Sequence, residues 1–148
     1  TISAVINGGK MITPHFGVSI SDTETQKKIN IRYTSKKNVI SKETSDVMKN
    51  VLETVVSEGG GKKAAIEGYK VGAKTGTTEK LPRRSGKYIS SCMGFAPAQN
   101  PKVIALVLID EPSGIYYGGT IAAPVISKLL DDILPYVDGK EDYGYSGN

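Results

Sequence analysis

The stretch KVGAKTGTTEK, residues 70–80, places one lysine, Lys74, inside a run of small and hydroxylated residues. Continued from Gly68 and Tyr69 the run has strand character, yet Gly72 and Gly76 interrupt its interior. Glycines within a strand predict that another backbone or a ligand comes close there. Three readings account for a cation in such surroundings. The first is phosphate binding, because GYKVGAKT, residues 68–75, departs from the pattern G-x-x-x-x-G-K-[ST] only at Ala73. A phosphate loop needs a buried apolar strand before it and a helix starting at the lysine, whose amides hold the anion. GGGKKAAIEG precedes the run and GTTEKLPRR follows it, and neither serves. The second is a strand lysine with its stem packed and its ammonium in water, which leaves Thr75, Gly76 and Thr77 unexplained. The third is an acyl-transfer edge. Lys74 supplies a fixed charge, Thr75 and Thr77 supply hydroxyl donors, and Gly76 lets a peptide lie along the strand as an added strand. A backbone N–H beside that glycine suits a developing oxyanion. Together these residues fit a peptide substrate carrying a carboxylate.

Around this stretch the pattern alternates between short strands and two amphipathic helices. ISAVINGG reads as the end of a helix stopped by Gly8 and Gly9. MITPHFGVSIS and KKINIRYTS flank the polar turn DTETQ and predict a hairpin. From Glu43 to Glu58, Val47, Met48, Val51, Leu52, Val55 and Val56 recur at helical spacing and predict a helix facing a core. The glycine triplet 59–61 then predicts a flexible link. Residues 78–87 are polar, contain Pro82, and predict a loop. YISSCMGFA and KVIALVLIDE predict a second hairpin around PAQNP, the latter strand apolar enough to be covered on both faces. After the glycine-rich SGIYYGG, a last helix carries Val125, Ile126, Leu129, Leu130, Ile133 and Leu134 on one stripe, with Pro124 in its first turn. The order predicts an α+β fold, an antiparallel sheet with helices against it.

Composition narrows the function classes. A length of 148 residues suits one domain, and 39% hydrophobic with 23% charged residues is ordinary for a globular, soluble chain. There is no apolar run of bilayer length and no signal-peptide pattern, and the chain opens on TISAVINGGK without methionine, as a piece of a longer protein would. The net charge of +4 is scattered over Lys27-Lys28, Lys36-Lys37, Lys62-Lys63 and Arg83-Arg84 without interleaved aromatics. Those pairs read as solvated faces, and nucleic acid is not an expected partner. Cys92, the single cysteine, has apolar neighbours and is expected to be buried rather than nucleophilic. His15, the single histidine, lacks companions at ligand spacing and is expected to be structural or solvated, so no metal site is predicted.

Lys74-Thr75-Gly76-Thr77 spells K-T-G-T, and K-T-G is a signature of β-lactamases and penicillin-binding proteins. TISAVINGGKMITPH, MGFAPAQNPKVIALVLIDEP, YYGG and AAPVISKLLDDILPY stand around it in order. The series resembles the C-terminal half of the transpeptidase domain of a class B penicillin-binding protein over residues 1–136, with 137–148 left as a polar tail. The resemblance implies a β-lactamase/transpeptidase-like fold, incomplete here, with three C-terminal strands of a five-stranded antiparallel sheet. It also implies a serine that attacks the D-Ala-D-Ala stem peptide of peptidoglycan and is trapped by β-lactams. Lys74 and Thr77 would then be catalytic, Thr77 through an oxyanion N–H, and Thr75, Gly76 and Thr77 would bind the substrate and its carboxylate. No organic cofactor or metal is implied. The parent would act outside the cytoplasmic membrane, anchored by a segment not in this chain.

The same family requires S-x-x-K and S-x-N upstream of K-T-G. No serine here has lysine three residues on, and S-x-N occurs only as Ser146-Gly147-Asn148, in the wrong order. The expectation is one wall of an active site without its nucleophile, inactive alone, which pairs with the missing N-terminal half of the domain or self-associates. A non-catalytic module binding wall peptide or a division protein is the competing reading, and a D,D-carboxypeptidase or β-lactamase relative is the other.

Overall fold

The structure, a computed structural model, describes residues 1–36 and 38–139. Its contacts gather into two compact units, residues 1–46 and the residues from Val47 onward. Each is described by itself.

The first unit opens with helix α1, Ile2–Ile6. Gly8 and Gly9 end it with φ of 81° and 87°, the left-handed region where a side chain is penalised. At Gly9 a Cβ would also lie 2.0 Å from the Ile40 carbonyl oxygen. The predicted hairpin forms as two short ladders. Strand β1, Met11–Ile12, pairs with β4, Ser35–Lys36, while β2, Ser19–Ser21, pairs with β3, Lys28–Asn30, all antiparallel. In the turn, the Asp22 carboxylate accepts from the amides of Glu24 and Thr25. His15 is exposed and stacks on Tyr33 at 3.7 Å between ring centroids, as a solvated structural histidine would. Helix α2, Lys42–Ser57, starts where the Ser41 hydroxyl accepts from the Thr44 amide, the N-cap arrangement that satisfies an orphan donor. Its buried Ser45 donates to the Val5 carbonyl and accepts from the Gly8 amide, tying α1 to the start of α2.

In the second unit, three strands form one antiparallel sheet in the order β5-β6-β7: β5 Gly72–Glu79, β6 Tyr88–Ala96 and β7 Val103–Asp110. Helix α4, Ala123–Val137, lies over one face, with Pro124 in its first turn. Ile126, Leu130 and Leu134, four residues apart, are fully buried, and they meet Cys92, Ala96 and Ala73 from the sheet in one core cluster. Gly94 makes this approach possible, since a Cβ there would stand 2.3 Å from Ile126 Cγ2. The single cysteine is buried, as expected, and burial pushes its thiol pKa up while Lys74 opposes the shift.

Four local expectations are corrected. Strand β5 runs to Glu79, two residues into the stretch predicted as loop, because Thr78 and Glu79 pair with Ile89 and Tyr88. Strand β7 is covered on one face only: Val103, Ala105, Val107 and Ile109 pack against the core, while Leu106 and Leu108 are each 62% exposed on the other face. An edge strand with one helix layer buries alternate residues, and a continuous apolar run hides that alternation. On α2, Leu52 and Val56 are buried but Val47 and Val51 are exposed, so the apolar stripe is wider than the surface it covers. The glycine triplet is a hydrogen-bonded turn rather than a loose link, with the Gly61 amide donating to Val55 and the Gly61 carbonyl accepting from Ala64.

Truncating Leu130 to Ala should cost about 2–5 kcal/mol in chemical denaturation, the usual cost of a core cavity. The same measurement on Leu106→Ser should stay within about 0.5 kcal/mol, as at an exposed position.

Candidate active-site wall

Strand β5 stands at one end of the sheet, so one of its edges is free of strand partners among the described residues. Side chains alternate across a strand, which separates the predicted site residues into two sets. Thr75 and Thr77 face the side of helix α3, Gly118–Ile121: the Gly118 amide donates to Thr77 Oγ1 at 3.2 Å, and a Cβ on Gly119 would lie 3.5 Å from Thr75 Cγ2. Lys74 and Gly76 take the opposite pleat, Lys74 exposed across from Met93 and Gly76 across from Ser91. The Lys74 ammonium donates to the Thr75 carbonyl at 2.5 Å. The strand therefore brings the two hydroxyls together and holds the cation on its other pleat.

The hydrogen bond to Thr77 has a chemical consequence. Its hydroxyl oxygen already accepts a backbone N–H, so its own proton remains to be donated, and an acceptor such as a carboxylate oxygen suits it.

The interior glycines have two different reasons. At Gly72 a Cβ would stand 2.2 Å from the Phe95 ring, so this glycine makes room for a side chain of the same unit. At Gly76 a Cβ would stand 2.6 Å from the Ser91 Oγ of the neighbouring strand, and its carbonyl is in turn approached by backbone: a Cβ on Gly118 would lie 2.3 Å from the Gly76 carbonyl oxygen and 2.2 Å from that of Ser91. Glycine at 118 is what lets the start of α3 lie on the sheet.

Thr75 and Thr77 line an open cavity of about 380 Å³ with Gly60, Lys62, Lys63, Tyr117, Gly118, Gly119 and Thr120. Of these, reading the sequence singled out only the two threonines for chemistry. Lys62 and Lys63 belong to a single 3-10 turn, Lys62–Ala64, brought to the strand by the turn before it. A Cβ on Gly119 would meet the Gly60 carbonyl oxygen at 2.3 Å, so the two glycine segments interlock. Tyr117 is set by an aromatic series in which Tyr88 stacks on Tyr116 at 4.1 Å and Tyr116 tilts against Tyr117 at 4.7 Å. A hydrogen bond with Tyr116 raises the Tyr117 phenol pKa. The Ser90 hydroxyl donates to the Tyr116 carbonyl beneath this series. The glycine triplet at 59–61 and the pair at 118–119 were the available signal, because adjacent glycines mark places where backbones touch. Among the described residues no group of three His, Cys, Asp or Glu is placed to hold a metal ion. Ser146-Gly147-Asn148 lies outside the described residues.

Comparison with known proteins supplies the family. The family model described as the penicillin binding protein transpeptidase domain matches residues 1–131. Stage V sporulation protein D of Bacillus subtilis is 43% identical over 141 residues, covering 90% of this chain and 22% of that protein. Peptidoglycan D,D-transpeptidase FtsI of Buchnera aphidicola is 42% identical over 111 residues, 72% of this chain and 19% of that one. The chain thus spans about a fifth of the length of these relatives. Among solved structures, the D,D-transpeptidase domain of a peptidoglycan glycosyltransferase from Eggerthella lenta is 28% identical with a TM-score of 0.75, covering 94% of this chain and 31% of that one.

Substituting Gly118→Ala should lower the melting temperature, at a cost of about 1–3 kcal/mol, because the contacts it makes are backbone atoms that cannot rotate away. Amide shifts at Thr77 and Gly76 should move with it in NMR spectra.

With its antiparallel sheet, its K-T-G-T strand and a family match over residues 1–131, the chain belongs to the penicillin-binding protein transpeptidase domain family.

Proposed function

We propose that this chain is the K-T-G-T wall of a peptidoglycan D,D-transpeptidase, binding the carboxylate end of the donor stem peptide. The observation that carries the reading is the pair of hydroxyls, Thr75 and Thr77, side by side at an open cavity on an edge strand. The donor peptide lies along β5 as an added strand, its terminal carboxylate accepting from both hydroxyls. The Thr77 N–H stabilises the oxyanion, and Gly76 leaves room for the peptide backbone. Lys74, on the other pleat, serves the catalytic hydroxyls. A serine from outside these residues attacks the penultimate D-alanine carbonyl. The C–N bond breaks, the terminal D-alanine leaves as its protonated amine, and an amine from a neighbouring stem displaces the serine ester to form the cross-link. β-Lactams acylate the same serine.

The name of the Buchnera aphidicola relative, a peptidoglycan D,D-transpeptidase, favours this over a D,D-carboxypeptidase or β-lactamase, in which water takes the place of the amine. Action on peptidoglycan places the parent protein outside the cytoplasmic membrane. Among the described residues no helix is long and apolar enough to cross a membrane.

The absence of S-x-x-K means that the 148 residues alone form no acyl-enzyme. Incubated with a fluorescent penicillin and resolved by denaturing gel and intact mass, the chain should carry no covalent adduct. A stoichiometric adduct would sink this part of the proposal.

The exposed Ile104, Leu106 and Leu108 on β7 are the surface that the rest of the transpeptidase domain covers, of which this chain is about a third by comparison with the Eggerthella lenta structure. Uncovered, that apolar face should draw copies together. Sedimentation velocity should show association growing with concentration, and Leu106→Lys with Leu108→Lys should abolish it. A wild-type monomer at every concentration would count against the assignment of this face.

A further inference from the structure

Lys62 and Lys63 are exposed, line the same cavity as Thr75 and Thr77, and form no ion pair with a carboxylate among the described residues. Three other lysines of this unit are ion-paired. Lys80 reaches Asp110 and Glu111 at 2.9 and 2.8 Å, Lys87 reaches Glu111 at 3.0 Å, and Lys102 reaches Asp138 at 3.0 Å. Among the described residues the cavity lining contains no acidic residue to offset its two cations, and its remaining polar side chains are hydroxyls of Thr75, Thr77, Thr120 and Tyr117. The turn that carries the lysines is held against the strand side of the cavity by the Gly60–Gly119 contact and by the Ser127 hydroxyl, which donates to the Ala65 carbonyl at 2.7 Å. Two cations without a carboxylate partner among the described residues, held beside two hydroxyl donors, make an electrostatic rim that favours an anion in the cavity.

We infer that Lys62 and Lys63 are specificity-determining residues of the carboxylate site: they select peptides ending in a free carboxylate over those ending in an amide. The inference rests on the carboxylate role of Thr75 and Thr77 and adds to it a second source of selection, one through charge at a distance rather than through direct hydrogen bonds. Because the lysines are exposed, their contribution is of the size of a surface ion pair and falls with salt.

The experiment is an NMR titration of the 148-residue chain with N-acetyl-D-alanyl-D-alanine and with its C-terminal amide, at low and high salt. The acid should bind more tightly than the amide and shift the Thr75 and Thr77 amides. Lys62→Gln with Lys63→Gln should weaken acid binding by about three- to fivefold, flatten its salt dependence and leave amide binding unchanged. Lys62→Glu with Lys63→Glu should weaken it further. If the Gln pair binds the acid as the wild type does, while Thr75→Val with Thr77→Val loses it, the inference is wrong and the carboxylate site stands. If the wild type fails to prefer the acid, or binds neither probe, the carboxylate site itself falls and the inference falls with it.

Discussion

The arrangement of the cavity depends on one constraint, the contact of the Gly118 backbone with the carbonyls of Gly76 and Ser91. At Gly118 helix α3 presents no side chain to the sheet, and its backbone lies on the sheet at that point for this reason. The same contact delivers the Gly118 amide to Thr77 Oγ1 and sets Tyr117 at the rim of the cavity. Interlocking of Gly119 with Gly60 then brings in the turn that carries Lys62 and Lys63. A single side chain at 118 would act on all of these at once, because backbone carbonyls in a paired strand have no rotamer to yield.

Around this contact the energetics divide by layer. The α4 side of the sheet is a packed core in which Ile126, Leu130 and Leu134 are sealed. The opposite side of β7 is apolar and open. Polar order is concentrated at the sheet end, where Lys80 and Lys87 clamp Asp110 and Glu111 across the loop between β5 and β6. Those ion pairs hold the Glu111 carboxyl below its usual pKa and the Lys80 ammonium above its own. Such a carboxylate contributes fully above its unfolded value of 4.5 and loses its contribution as pH falls through its folded value; the lysine contributes fully below 10.5 and loses its contribution as pH rises through its folded value. Screened pairs of this kind fix the loop's path more than they stabilise the fold.

How much of this was legible in the sequence follows from the range of each interaction. Strand β6 has the bounds read from its pattern, Tyr88–Ala96, because a turn and a polar loop delimit it locally. Helix α2 begins one residue before the predicted start and ends one before the predicted end, for the same reason. The exposed face of β7 was not legible, since a run such as VIALVLI is the same string whether one face is covered or two. Val47 and Val51 misled in the same manner: periodicity shows which residues share a face and not what lies against it. At the site, K-T-G-T announced itself as a motif, while Lys62, Lys63 and Tyr117 reach the cavity through tertiary contacts, among them those between glycines far apart in the chain. Lys62-Lys63 looked like any other solvated pair because its lack of carboxylate partners among the described residues is a fact of tertiary structure.

Cys92 lies at the centre of the α4-sheet core, fully buried, and is the only thiol in the chain. Burial both shields its sulfur and keeps it protonated, so a thiol reagent can reach it only when the helix lifts from the sheet. The molecule therefore contains its own clock for opening. The rate at which it consumes a thiol reagent reports how often the α4 layer parts, without any label being introduced.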